Sequence, residues 1–192
     1  MRIKNLLSAL AFLFIANIAF SQSFTIGGLV GWGVPQGEVF TNGDEKLSGG
    51  GLTFDFDALY HLEKFDNKLG VGINYNTSVL FGKNSDAALD IGIFGLTLYG
   101  VKAHYNFLDK KVTPYGSLAL GLSQFSTPDI SDGNGNTIEG ERASGFGIKP
   151  EVGFILGGFV ISTSYLVPMK YGDFEQSAGV WQIAIGYRYI SY

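Results

Sequence analysis

The 192-residue chain has no cysteine, which excludes a disulfide-stapled miniature and leaves its stability to come from elsewhere. Charged residues make up only 16%, too few for a disordered chain, and the 13 basic against 17 acidic side chains exclude a nucleic-acid binder. Long apolar runs are also lacking. The best one, Leu6 to Phe20, is interrupted by Asn17 and falls short of the roughly 20 residues a spanning helix needs. A mean hydropathy of +0.19 is too low for a bundle of membrane helices. What the chain does have is 46% hydrophobic residues, 15% aromatics and 28 glycines, a composition that fits a single domain.

The N-terminus reads as an export signal. Arg2 and Lys4 precede the apolar stretch, and Ala19 and Ser21 are small residues two apart, as signal peptidase requires. Cleavage is expected before Gln22, making residues 1–21 a signal peptide and residues 22–192 one domain. The mature 171 residues then carry 11 basic and 17 acidic side chains, a net charge of −6.

After Gln22 the dominant period is two, and no stretch sustains a helical stripe. Eight strands are predicted, over Phe24–Pro35, Gly50–Phe65, Leu69–Gly82, Ile91–Leu108, Val112–Phe125, Ser144–Leu156, Phe159–Lys170 and Gly179–Tyr192. The clearest alternation sets Leu52, Phe54, Phe56, Ala58, Tyr60 and Leu62 against Thr53, Asp55, Asp57, Leu59, His61 and Glu63. The rule fails around Phe94, Leu96 and Leu98, where a bulge or a register change is expected. Pro114 and Pro150 fall inside strands and each removes a ladder donor.

Connection lengths alternate as well. Asp66-Asn67-Lys68, Asp109-Lys110-Lys111 and Gly157-Gly158 are tight turns, whereas the links Gln36–Gly49, Lys83–Asp90, Ser126–Ala143 and Tyr171–Ala178 are long and polar. Long and short ends therefore segregate, which predicts an all-β, eight-stranded, antiparallel up-and-down transmembrane β-barrel. A soluble barrel would instead need a charged outer surface. Here the polar face is mostly small residues, suited to a narrow interior, and the apolar face carries the bulk. Trp32, Tyr60, Tyr75, Tyr105, Trp181 and Tyr187 are candidate membrane-interface aromatics.

The Ala19-Phe20-Ser21-Gln22 signal end, the alternating strands, openings such as Gly70-Val71-Gly72 and a last strand closing on Tyr192 resemble the small outer-membrane β-barrel proteins of Gram-negative bacteria. The resemblance spans the mature chain and implies location in the outer membrane. It also implies contact with outer-membrane lipids and lipopolysaccharide, and recognition by the barrel-assembly machinery through a terminal aromatic, here Tyr192. Ile190 agrees with that assembly signal and Arg188 departs from it, so either the strand carries a bulge near Ile190 or the assembly signal is imperfect.

If the polar face points inward, the lumen holds Asp55, Asp57, Glu63, Lys102, Lys149, Glu151 and Arg188, with His61 and His104 beside them. A near-balanced set of confined charges reads as an internal ion-pair network that plugs the barrel, because a stranded charge costs several kcal/mol. Catalysis is not expected: there are only 2 histidines, no serine is spaced beside either, and Gly-x-Ser-x-Gly is absent. Neither a metal nor a cofactor is expected. Asp132–Asn136 offers alternating oxygens, but Thr137 and Ala143 stand where a calcium loop has its glycine and glutamate. The long links hold eleven acidic residues against Lys46, Lys83 and Arg142, a sum of −8. The expected function is structural or interactive, through these acidic external loops. The alternative is a narrow porin-like channel or transporter for small solutes or apolar compounds, which a wide gap in strand bonding would favour.

Overall fold

Strands surrounded by an apolar medium must satisfy every backbone N–H and C=O within the sheet, and closure is the arrangement that leaves no edge. A computed structural model of the chain describes residues 24–42, 45–46, 48–82, 93–108, 110–127, 130–131, 137–138, 140, 142–170 and 177–191. It is a closed barrel in which eight strands each pair with their neighbours in sequence and the last pairs with the first. The strands are β1 (Phe24–Gln36), β2 (Ser48–His61), β3 (Leu69–Gly82), β4 (Ile93–Asn106), β5 (Val112–Ser126), β6 (Arg142–Leu156), β7 (Phe159–Lys170) and β8 (Ser177–Ser191). Two short ladders, Thr41–Asn42 with Glu45–Lys46 and Ile130–Ser131 with Thr137–Ile138, extend the links after β1 and β5. The expected cleavage site, Tyr192 and the Asp132–Asn136 stretch lie outside the described residues.

The strand bounds agree with the sequence to within a few residues, apart from the second. β2 stops at His61, because Glu63–Phe65 forms a 3-10 turn and Asp66 and Asn67 take left-handed φ values of 52° and 59°. Tilt is visible in the register. The row of partners Gly33, Gln182, Ser164, Glu151, Ser117, His104, Gly70 and His61 descends from the long-link end to the short-turn end in one circuit. Such stagger is what closing eight strands demands.

Two expected irregularities are absent. β4 pairs with β3 and β5 without a shift, so Phe94, Leu96 and Leu98 keep the parity of Lys102 and His104 and face the lumen. Near Ile190 the β1–β8 ladder runs unbroken to Phe24 opposite Ser191. Pro114 and Pro150 leave the β5–β6 register intact. Shifts occur instead between Ser48 and Gly50, where Gly50 takes φ +119°, and between Leu166 and Met169.

Among the described residues, the longest unpaired stretch of the wall is a seam between β6 and β7; a shorter one separates Val34–Gln36 of β1 from the start of β2. The β6–β7 ladder ends with Glu151 opposite Ser164, so Arg142–Pro150 pair only with β5, and Tyr165, Leu166, Met169 and Lys170 pair only with β8. Pro150 and Pro168 each lack an N–H at this place.

Outward positions are apolar along the wall, with Ile73 66% and Val101 65% exposed as ladder neighbours midway along β3 and β4. Inward, the lumen is layered. Charged groups fill its middle and short-turn half. Leu80, Leu96, Leu98, Phe125, Leu166, Ala178 and Val180 fill the long-link half.

Candidate functional site

Asp55 and Asp57 are two residues apart on β2, and so are Lys149 and Glu151 on β6; period two turns both members of each pair inward. Lys102 comes from β4 and Arg188 from β8. Their six charged groups form one cluster. Lys102 Nζ lies 2.8 Å from Asp57 Oδ2, 2.9 Å from Glu151 Oε2 and 3.8 Å from Asp55 Oδ1. Lys149 donates to Asp55 Oδ2 and stands 3.6 Å from Glu151. Arg188 donates to Asp57 at 2.8 Å and to Glu151 at 3.3 Å. Three cations thus meet three carboxylates, and all six residues are buried.

Neutral groups add to the bonding. Asn74 and Asn76 on β3 donate to Asp55 at 2.8 and 3.0 Å. Tyr115 on β5 donates to Glu151 Oε1 at 2.6 Å, and its ring faces the Arg188 guanidinium at 4.6 Å. Above the ions, Gln182 and Asn76 exchange amide bonds of 3.0 Å, while Ser78 and Ser164 bond to Gln182 at 3.1 and 3.2 Å. Asp57 Oδ1 and Arg188 Nε have no hydrogen-bond partner, but each ion of the cluster faces an opposite charge, and removing a single partner leaves an uncompensated ion in a low-dielectric interior.

The histidines lie below the cluster with rings 6.3 Å apart. His61 bonds Thr25 Oγ1 at 2.8 Å through Nε2 and the Asn67 carbonyl at 2.9 Å through Nδ1. His104 bonds Asn106 at 2.9 Å and meets Arg188 at 3.4 Å. A cavity of about 500 Å³ opens beneath them at the short-turn end, lined in part by Lys68, Lys110, Lys111, Tyr187 and Arg188.

Eight of the nine lumen residues expected from the sequence are therefore brought together. Glu63 is not: it sits exposed in the 3-10 turn after β2, because the chain leaves the wall at His61. Without it the enclosed charges balance. Trp32 and Trp181 stand exposed toward the long-link end, and Tyr105 and Tyr187 toward the other, with Tyr60 half-buried among them. Tyr75 belongs to neither end; it lies mid-strand on the outer wall, with Phe56 and Tyr99 rings at 6.4 and 5.2 Å.

Sequence reasoning missed Tyr115. Tyr115 shares the parity of Ser117, Ala119 and Ser123, which would have marked it as inward. Gly153 faces it from β6, where a Cβ would come within 2.8 Å of its ring.

An apolar wall around a charged, bonded interior is the inverse of a soluble protein and the pattern of a membrane barrel. By fold and by its two faces, the chain is a small eight-stranded transmembrane β-barrel. Solved proteins share this fold at low sequence identity. Ail of Yersinia pestis, in complex with the heparin analogue sucrose octasulfate, matches with a TM-score of 0.58 and 20% identity over 86% of this chain and 99% of its own. The outer membrane protein OprG of Pseudomonas aeruginosa matches with a TM-score of 0.54 and 14% identity over 90% and 97%. Neisserial surface protein A matches with a TM-score of 0.52 and 18% identity over 86% and 95%. No protein-family model matches the chain, and no curated protein does.

Proposed function

We propose that this is a non-enzymatic outer-membrane protein, closed to solutes, whose structural or interaction role is carried by its external loops. The charge-balanced cluster of Asp55, Asp57, Glu151, Lys102, Lys149 and Arg188 carries this reading. An eight-stranded barrel has little lumen beyond its own side chains, and here those side chains bond to one another across it. Both histidines spend their ring nitrogens on Thr25, the Asn67 carbonyl, Asn106 and Arg188, an arrangement unlike a base oriented by a carboxylate beside a nucleophile.

The loops sum to −8, which favours a basic partner or one bridged by divalent cations. Lipopolysaccharide phosphates would be met in the second way. A polyanion such as the one bound by Ail would be repelled. Insertion by the barrel-assembly machinery, with Tyr192 as its signal, belongs to the same proposal.

Planar-bilayer conductance of refolded mature protein tests it, with Arg188→Ala and Glu151→Ala alongside. Silence from the wild type with openings in the variants supports an ion-pair plug. Steady ion-selective steps from the wild type would overturn it in favour of a narrow channel.

A further inference from the structure

The cavity of about 500 Å³ at the short-turn end has a buried floor and a charged rim. His61, Ile155 and Arg188 supply the floor, and all three are buried. Arg188 is matched there by Asp57 and Glu151, so the floor carries no surplus charge. Its Nε–H is nevertheless buried without an acceptor. All three tight turns meet at the rim, with Lys68 after β2, Lys110 and Lys111 after β4, and Gly157 and Gly158 after β6.

The rim holds three ammonium groups against one carboxylate, that of Asp66, and none of the three pairs with a carboxylate among the described residues. Counted over both charged turns in full, Lys64, Lys68, Lys110 and Lys111 still outnumber Glu63, Asp66 and Asp109. The long links at the opposite end sum to −8, so the barrel is polar along its axis and its cationic pole is a concavity. Concave walls of one sign concentrate the field on a counter-ion, and lysine meets a phosphate as a compact point charge with several donors. The third turn keeps the mouth open by having no side chains. A Cβ on Gly158, which takes φ +93°, would come within 2.6 Å of the Tyr187 ring that lies across it. Tyr187 and Tyr189 line the cavity and also stand 56% and 64% exposed on the outer wall, which sets the mouth at headgroup depth.

We propose that this mouth is a binding site for a phosphate ester, held by the ammonium groups of Lys68, Lys110 and Lys111 above the Arg188 floor. An anionic glycerophospholipid of the leaflet at the short-turn end presents that group at the depth of Tyr187 and Tyr189. Soluble glycerol phosphate presents the same group from the aqueous side. Neither source needs a passage through the barrel, and the ion-pair cluster stays intact beneath the ligand.

The test uses full mature protein in dodecyl maltoside micelles, which contain no phosphate, with the amide resonances of Lys68, Lys111, Gly157 and Gly158 as readout. Glycerol phosphate is expected to give saturable shifts at these amides. Combining Lys68→Gln, Lys110→Gln and Lys111→Gln is expected to weaken its binding about tenfold, as three modest contacts of exposed charges would. All three positions lie in turns outside the barrel ladders, and an unchanged amide spectrum elsewhere checks that the variant is folded. Phosphatidylglycerol added to the micelles is expected to displace glycerol phosphate, which identifies the lipid as the source. Glycerol phosphate that stays bound would keep the site and assign it to a soluble ester. Absence of saturable shifts with both probes, unchanged affinity in the triple variant, or equal affinity for succinate, a dianion without phosphate, would each overturn the site. The variants leave the plug intact, so such a failure would not touch the closed-barrel reading.

Discussion

Asp57 and Arg188 have a whole strand between them and still bond, because the residue they share as a ladder partner is Gly27. On β1, Gly27 lies opposite Arg188 on one side and Asp57 on the other. A Cβ there would overlap Asp57 Oδ1 and come within 2.9 Å of Arg188 Cγ. Gly27→Ala is expected to cost ~1–3 kcal/mol by crowding the pair, measured as a lower urea midpoint of unfolding from lipid vesicles. An unchanged midpoint would mean the pair passes over position 27 with room to spare.

Glu151 accepts from Lys102, Tyr115 and Arg188 and lies near Lys149. Glu151→Gln leaves three cations facing two carboxylates and should cost about 3–5 kcal/mol, the usual penalty for an uncompensated buried charge. Adding Lys149→Met restores balance. The double variant should be more stable than the single one, a non-additivity that a double-mutant cycle reads directly. Additive losses would argue against a single coupled cluster.

Tyr115 does two jobs that substitution can separate. Tyr115→Phe keeps the ring beneath Arg188 and loses the 2.6 Å bond to Glu151, for about 1.5–3 kcal/mol. Tyr115→Ala loses both and should cost more by at least the value of the packed ring, ~3–5 kcal/mol in all. Equal losses from the two variants would assign the whole effect to the hydroxyl.

Ile73 and Val101 sit side by side on the outer wall, midway along their strands. Ile73→Arg should cost about 2–4 kcal/mol in vesicles, as expected of a charge near the bilayer midplane. An arginine at Ile93, at the long-link end of β4, should cost about 0–1 kcal/mol. Equal penalties at the two sites would misplace the membrane.

Backbone amides of Ile148 and Val167 face a seam without ladder partners across it. Their hydrogen exchange should be faster than at Val152 and Ile161, which lie within the paired part of the same strands. Uniform protection would show the seam closed on the timescale of exchange.

Most of the barrel was legible in the sequence because period two survives wherever one face is greasy and the other wet. Lys102 and Arg188 declared themselves by parity alone. β4 misled because parity and polarity part company there: Phe94, Leu96 and Leu98 are apolar and inward, lining a lumen that is itself apolar at that end. Glu63 misled in the opposite sense. Its parity continues that of His61, but the strand ends before it, and the tight turn draws on left-handed Asp66 and Asn67, conformations that polar residues tolerate. Tyr115 and Gly27 escaped notice because an aromatic in a membrane barrel reads as a lipid-facing residue and a glycine as filling. Their roles appear only once strands distant in sequence are brought face to face.

The charges of the lumen all ride on alternate strands, with Asp55 and Asp57 on β2, Lys102 on β4, Lys149 and Glu151 on β6, and Arg188 on β8. Until β8 docks, three carboxylates face two ammonium groups, and the free edge of β1 awaits a partner. Docking the last strand removes both defects in one step. Neutrality is thus a property of the finished barrel, and a chain stalled one strand short would carry an unbalanced interior that the surrounding lipid penalises.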